Sequence, residues 1–193
     1  MRIFFVLLLY FFSALVSASE NQTCIDGLWL FDDDASETLF STIEKINEAE
    51  KDSKNINLRM FPNFVFTTTD LNIKRLEHSV LLEQKDLSGQ NFQRRFSTSG
   101  KTQSVSLKTA HQSGNTVVAS WEDNRLIIET TGVTGLYTEE TFSLKKNIDE
   151  APILHVKGKV LDPSGINFSF EKFYTQSKPD WLACTKVSKP VPN

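Results

Sequence analysis

The chain is poor in the residues that carry catalytic and metal chemistry. Among its 193 residues are two cysteines and three histidines. His78, His111 and His155 have no metal-ligand spacing to one another, and no metal site is expected. With both cysteines expected in a disulfide, no thiol remains for nucleophilic work. No Gly-x-Ser-x-Gly elbow occurs, and nothing local supports a Ser–His–acid triad. The stretch SGKT, from Ser99 to Thr102, matches the end of a phosphate-binding loop. Arg95, however, stands where that loop needs its first glycine, and strands flank the segment. The run Asp32-Asp33-Asp34 lacks the alternating ligands and turn glycine of a calcium loop, and helix capping accounts for it. These gaps argue against an enzyme, put an esterase-like activity last among the functions considered, and call for no cofactor.

Long apolar runs are equally scarce. The only one opens the chain: Met1-Arg2, then Ile3 to Leu15 interrupted by Tyr10 and Ser13, then the small residues Val16-Ser17-Ala18. This is the pattern of a secretory signal peptide over 1–18, cleaved after Ala18. The expected location is therefore extracellular or periplasmic, with no transmembrane anchor after cleavage. Excess charge of one sign is missing too. The 21 basic and 24 acidic side chains give a net charge of −3 and are interspersed, so neither a nucleic-acid footprint nor a membrane-binding basic face is present.

The remainder has the length of one domain, expected over 19–178 with a tail over 179–193. Cys24 and Cys184 lie near its two ends, and an oxidising compartment favours a bridge between them. Closing so long a loop contributes at most about 4–5 kcal/mol in the chain-entropy account. Lipidation of Cys24 is the alternative, opposed by the polar Asn21-Gln22-Thr23 before it. Asn21 and Asn167 head glycosylation triplets, which such short patterns often do by chance.

What the chain does have is alternation. After the apolar segment Gly27–Phe31, one helix is expected near 34–51. Asp34 and Glu37 there form a capping-box-like start, and Leu39, Phe40, Ile43 and Ile46 share a face. From about Leu58 the period becomes two: Phe64/Phe66/Thr68, Leu71/Ile73, Val80/Leu82, Phe92/Phe96/Thr98 and Val105/Leu107. Further strands are expected over Val117–Gly132 (a hairpin), Gly135–Leu144, Pro152–Val160 and Ile166–Tyr174, with Asp162–Gly165 as a turn. Eight to ten antiparallel strands joined by short links specify a mainly β fold. The expected form is a single up-and-down barrel, or a strongly curved sandwich, with one N-terminal helix.

A two-residue turn fixes which side chains face each other. With Asp123-Asn124 as the turn, Trp121 opposes Leu126, Ala119 opposes Ile128 and Val117 opposes Thr130. Glu122 and Arg125 then form an ion pair on the other face. Treating Ser99-Gly100 the same way pairs Phe92 with Leu107, Phe96 with Gln103 and Arg94 with Val105. Parity also turns Thr138 and Glu140 to the side of Phe142 and Leu144, and Arg75 to the side of Leu71 and Ile73. Charges facing inward are costly unless paired. They stand at a barrel mouth, pair inside, or mark bulges, and Arg94 is a candidate anchor for a carboxylate-bearing ligand. His155 alternates with Ile153 and Lys157, which predicts a surface role.

Gly27-Leu28-Trp29 followed by a meander resembles the Gly-x-Trp opening of lipocalins, and the chain is similar to calycin-type barrels more broadly. In that family the Trp closes the barrel floor beneath an Arg near the last strand, a position held here by Lys172. The early helix is closer to fatty-acid-binding proteins. The resemblance implies non-catalytic binding of a small apolar or amphiphilic molecule within the barrel. The expected wall is Phe92, Phe96, Val105, Leu107, Ala119, Trp121, Ile128, Phe142 and Phe168, with Arg94 as polar anchor. The competing expectation is an envelope or extracellular protein-interaction module with a filled core.

Overall fold

The computed structural model describes residues 25–37, 39–49, 65, 67–85, 88–105, 115–145, 151–163, 165 and 167–176. The expected signal peptide, Asn21, Cys24, Leu107, Cys184 and the tail lie outside them, as does the side chain of Val105. Among the described residues, ten strands and one helix with defined bounds follow one another: β1 (Gly27–Phe31), α1 (Leu39–Ala49), β2 (Leu71–Leu76), β3 (Ser79–Lys85) and β4 (Asn91–Ser97). Then come β5 (Gln103–Val105), β6 (Asn115–Glu122), β7 (Arg125–Thr131), β8 (Tyr137–Lys145), β9 (Ile153–Leu161) and β10 (Asn167–Gln176). Among the described residues no helix is long and apolar enough to cross a membrane.

All ten strands form one antiparallel sheet in the order β4-β3-β2-β1-β10-β9-β8-β7-β6-β5. Chain neighbours are sheet neighbours everywhere except at the β1–β10 seam, where Trp29 faces Gln176 and Phe31 faces Tyr174. The sheet curls into a nearly closed up-and-down barrel, which removes most of the edge that an open sheet would expose.

The Asp123-Asn124 hairpin has the expected register: Trp121 opposite Leu126, Ala119 opposite Ile128, Val117 opposite Thr130. Both turn residues have positive φ (45° and 64°), as a two-residue turn with the right-handed strand twist requires. The cation of Arg125 lies 3.7 Å from Asp123, however, and does not form the anticipated pair with Glu122. At the Asp162–Gly165 turn, Gly165 (φ 99°) donates to the Asp162 carbonyl at 2.9 Å.

Three expectations change. Ser99-Gly100 is not a hairpin turn: among the described residues β4 pairs only with β3 and β5 only with β6, so the pairings of Phe96 with Gln103 and Arg94 with Val105 are not made, while Leu107, the expected partner of Phe92, lies outside those residues. This link instead spans the gap where the barrel fails to close. Two devices bridge it. The Gln103 side-chain amide accepts from Ser97 N–H and donates to Ser97 C=O, both at 2.9 Å, mimicking a strand residue. Gly100 N–H donates to the Ala119 carbonyl at 3.1 Å. Second, Val65 is helical, Thr67 and Thr68 belong to no strand and β2 starts only at Leu71, while Phe64 and Phe66 lie outside the described residues. Third, α1 begins at Leu39, so Asp34 and Glu37 form no capping box. Asp32 takes the turn instead, its carboxylate accepting from Ala35 N–H at 3.0 Å. The chain then runs on along β10 through Glu37 N–H to the Glu171 carbonyl at 3.0 Å.

The core gathers Trp29, Leu71, Ile73, Val80, Leu82, Phe96, Val117, Ala119, Leu126, Ile128, Phe142, Leu154, Val156 and Tyr174, all buried on the inner face. One glycine is demanded by this packing. A Cβ at Gly158 on β9 would lie 1.9 Å from Cζ of Phe170, whose ring fills the space a side chain would take. Gly158→Ala must push that ring aside, and the expected destabilisation is about 1–3 kcal/mol, the usual cost of overpacking. Urea titration checks it, and a neutral result would mean the ring moves freely.

Candidate ligand-binding lumen

The inward positions change character along each strand. On β6 the sequence runs from Asn115 to Val117 and Ala119, and on β8 from Thr138 and Glu140 to Phe142. On β7, running the other way, it passes from Leu126 and Ile128 to Thr130. Gln84 ends β3 after Val80 and Leu82, and Arg94 precedes Phe96 on β4. Antiparallel order places these polar groups towards the end opposite the Asp123-Asn124 turn. The lumen therefore has an apolar end and a polar end, with Phe168, Phe170 and Val160 supplying buried apolar wall at the polar end.

The apolar end is sealed by protein. Trp29 is fully buried, and its indole N–H donates to the Ile25 carbonyl at 2.8 Å. The Arg75 guanidinium lies 4.3 Å from the centre of the Trp121 ring, so this inward charge is met by an aromatic face. Asp26 accepts from Arg75 N–H at 2.9 Å, and burial raises its carboxyl above the usual range despite that bond. The cation stacked on tryptophan at the floor is thus Arg75 on Trp121. Lys172, which the lipocalin resemblance places there, lies elsewhere in the lumen.

The charged centre of the lumen joins three strands. Arg94 on β4 and Glu140 on β8 are 2% and 3% exposed and form a two-pronged ion pair across the interior. One prong, Nη2 to Oε1, spans 3.1 Å. Fork-to-fork pairing of this kind is what makes a buried charge tolerable. The inward Glu140 is therefore neither a mouth position nor a bulge. Arg94, expected as the anchor of a ligand carboxylate, already has a protein carboxylate. Lys172 on β10 is 4% exposed, and its Nζ donates to the Thr67 carbonyl at 2.6 Å and lies 5.1 Å from the Phe170 ring centre. Burial lowers its ammonium to about 7, with Glu140 pulling upward and Arg94 downward. Tyr174, fully buried, bonds the Gln84 side chain and stacks edge-on with Phe31 at 5.4 Å; burial raises its hydroxyl. The buried Thr138 hydroxyl has no hydrogen-bond partner among the described residues.

The residues expected to line a site divide between these two regions. Phe96, Ala119, Ile128 and Phe142 belong to the buried core cluster, and Trp121 packs on it. Phe92, Arg94 and Phe168 are at the polar end, Phe92 half-buried and the others buried. Tyr174, Gln84 and Phe170 were not among the expected wall residues, although Phe170, Lys172 and Tyr174 share the parity of Phe168. His155 does point outward, yet it is 2% exposed, so the surface role is corrected to a covered one. Its ring stacks on Phe173 at 4.5 Å and its Nε2 lies 2.9 Å from Glu171. Burial holds its pKa below the usual histidine range, with the Glu171 bond opposing. No cluster of three metal-ligating side chains occurs among the described residues. An open groove of about 540 Å³ is bordered by Leu28, Asp70, Asn72, Glu83 and Gln93, and the buried Gln84 also contributes to its lining. Its polar side chains are tied together through Glu83.

No family model matches the chain, and no curated protein sequence does. Solved structures do share its shape. A point mutant of the REP1-NXSQ fatty acid transporter aligns with a TM-score of 0.52 at 13% identity, covering 79% of this chain and 97% of that one. The fluorescent protein UnaG aligns with a TM-score of 0.50 at 12% identity over 79% and 97%. A point mutant of UnaG gives 0.51 at 14% over 79% and 96%. The fold is thus the ten-stranded, calycin-like barrel of the fatty-acid-binding-protein type.

Two outcomes are expected of the charged centre. Arg94→Met or Glu140→Leu alone should cost about 3–5 kcal/mol by stranding a buried charge, whereas the double replacement Arg94→Met/Glu140→Leu should cost less than either. A denaturant double-mutant cycle reads this coupling. Lys172 should impose a pH slope. Between about 7 and 10.5 the unfolded chain keeps a proton that the folded chain has released, so wild-type stability rises with pH there. Lys172→Met removes that slope, and any stability it gains over wild type at pH 6 should shrink by pH 9.

Proposed function

We propose that the protein is a non-catalytic carrier that holds a small apolar or amphiphilic molecule at the polar end of the barrel. The observation carrying this reading is the inner wall itself, where buried polar groups (Gln84, Asn115, Thr130, Thr138, Lys172) stand beside Phe168 and Phe170. A domain built only for stability gains little from burying so many polar groups on one side of its core. An amphiphile uses both kinds of wall, and few convergent polar groups in an apolar enclosure is the usual form of a small-molecule site. Thr138 offers a buried hydroxyl to such a head group. Because Arg94 and Glu140 neutralise each other, the head group has no need to be ionised. The fatty acid transporter of the same fold supports the reading only by analogy of shape.

The place of action goes with it. A leader over 1–18 released after Ala18 would deliver the chain to the periplasm or the extracellular space, where Cys24 and Cys184 would bridge. Ligand capture there needs no protein partner.

Purified from its host under native conditions, the protein should start at Ser19, lack free thiols and yield a reproducible lipid on organic extraction, all read by mass spectrometry. The delipidated protein should then bind an apolar fluorophore, which added lipid displaces. Binding should weaken severalfold on Thr138→Leu, which fills the polar end, and change little on Lys85→Ala, on an exposed part of β3. A protein that extracts clean and binds no fluorophore would instead favour the filled interaction module.

A further inference from the structure

Triplets such as Asn167-Phe168-Ser169 are common by chance, so what matters is where the fold puts this one. It is one of two in the chain; the other, at Asn21, lies outside the described residues. Resting on the reading of residues 1–18 as a secretory leader, and on nothing about the lumen, we propose that Asn167 carries an N-linked oligosaccharide, attached to its side-chain nitrogen during export.

Three features of the structure suit this modification. The first is parity. Asn167 and Ser169 are exposed on the outer wall, whereas Phe168 between them is 6% exposed and points into the barrel. An oligosaccharide joined to the chain before the barrel closes has to end outside it, because an acceptor on the inner face would hold the strand away from the core. β10 buries the one residue of the triplet that the transfer does not read and turns out the two that it does. The second is position. Asn167 opens β10 directly after the Asp162–Gly165 turn, at the polar end of the barrel. A Cβ on Gly165 would meet nothing within 4 Å, so this rim has room for a bulky branched group. The third is a platform. Asn167 lies opposite Leu161, and Leu161 opposite Tyr137, in a row across the outer wall. With neighbouring strands about 4.8 Å apart, the first sugar ring can lie over Leu161 towards the Tyr137 ring. That ring is held by its hydroxyl, which donates to Glu129 at 2.7 Å. The same rim carries Val133, 71% exposed on the β7–β8 turn, which meets the β9–β10 turn where Gly135 approaches Pro163. A hydrated oligosaccharide beside it covers this apolar point.

The donor is an oligosaccharide joined through pyrophosphate to a polyprenyl lipid, and a membrane-bound transferase moves it. The Asn167 carboxamide nitrogen attacks the anomeric carbon of the first sugar and forms a C–N bond. The anomeric C–O bond breaks, its electron pair leaving on the lipid pyrophosphate. The amide nitrogen gives up one proton to a base of the transferase. The Ser169 hydroxyl, two residues on, is the group by which the enzyme holds the triplet.

The test uses the protein purified from its host. One portion is digested directly for glycopeptide mass spectrometry. The other is first treated with a peptide N-glycosidase in heavy-oxygen water, which turns a glycosylated Asn into labelled Asp. The expected result is a chain beginning at Ser19 whose Asn167 peptide carries the sugar and becomes labelled. In the full chain expressed in the same host, Ser169→Ala should lower occupancy at least tenfold and Ser169→Thr should keep it. Asn167→Gln should bind the apolar fluorophore as wild type does, because the site is on the outer wall. A chain that begins at Ser19 with a bare Asn167, whatever Asn21 carries, would overturn the modification and leave the leader reading standing. A chain that retains residues 1–18 and has a bare Asn167 would overturn both. The mapping is done on wild type, so it does not depend on whether any variant folds.

Discussion

The barrel depends on a charge pair that reaches across it. The sheet ends in β4 and β5, and among the described residues no ladder joins them. Arg94 lies on β4 itself, one of the strands that would otherwise be an edge, and its guanidinium grips Glu140 on the far wall. Pairing with β3 fixes β4 on one side, and the ion pair fixes it from within. The Gln103 amide and the Gly100-to-Ala119 hydrogen bond then close the remaining gap at its lower end. Hydrogen bonds, an amide mimicking backbone and a buried ion pair thus share a task that a continuous ladder performs in a fully closed barrel.

The same pair sets the electrostatics of the lumen. Two opposite charges held fork to fork present little net charge to a third group, so Lys172 feels its desolvation more than any attraction. Had Glu140 faced Lys172 alone, its upward pull on the ammonium would not be offset by Arg94. Because Arg94 takes that carboxylate, the polar end offers donors and acceptors without a dominant sign. Moving the guanidinium by one inward position would therefore alter both the closure of the barrel and the electrostatics of its lumen.

Much of this architecture was legible in the residues, for a specific reason. Alternation reports which face a side chain occupies, and it placed Trp121, Ala119, Ile128, Phe142, Phe168, Arg94 and Glu140 inward correctly. Where a turn also forces positive φ, as at Asp123-Asn124, alternation and turn chemistry together fix register. Ser99-Gly100 has the same outward signature, and there the inference failed. Gly100 does adopt positive φ (69°), but its N–H serves β6, the strand beyond β5. A local turn signal cannot distinguish a tight hairpin from a link across a gap, because the difference lies in hydrogen bonds to a strand fifteen or more residues away. The alternation around Val65 misled for a related reason. Three alternating residues fit a strand or part of a helix equally well, and Val65 took the helical option.

The charged centre of the lumen was legible one residue at a time but not as a set. Parity turned Glu140 inward without naming Arg94 as its partner, since the two are 46 positions apart and belong to strands that never pair. Lys172 stands in FEKFYTQ between Phe170 and Tyr174, whose alternation turns it inward just as it does them. It drew notice only as a stand-in for another family's arginine at the floor. Its environment comes from three directions: the Thr67 carbonyl before β2, the Phe170 ring beside it, and a carboxylate already committed to Arg94. Charge on the inner face of a barrel is therefore informative only after each cation has been matched to its anion. Here Arg94 is matched to Glu140 across the lumen, while Lys172 is met by the Thr67 backbone carbonyl, a partner that no alternation pattern could name.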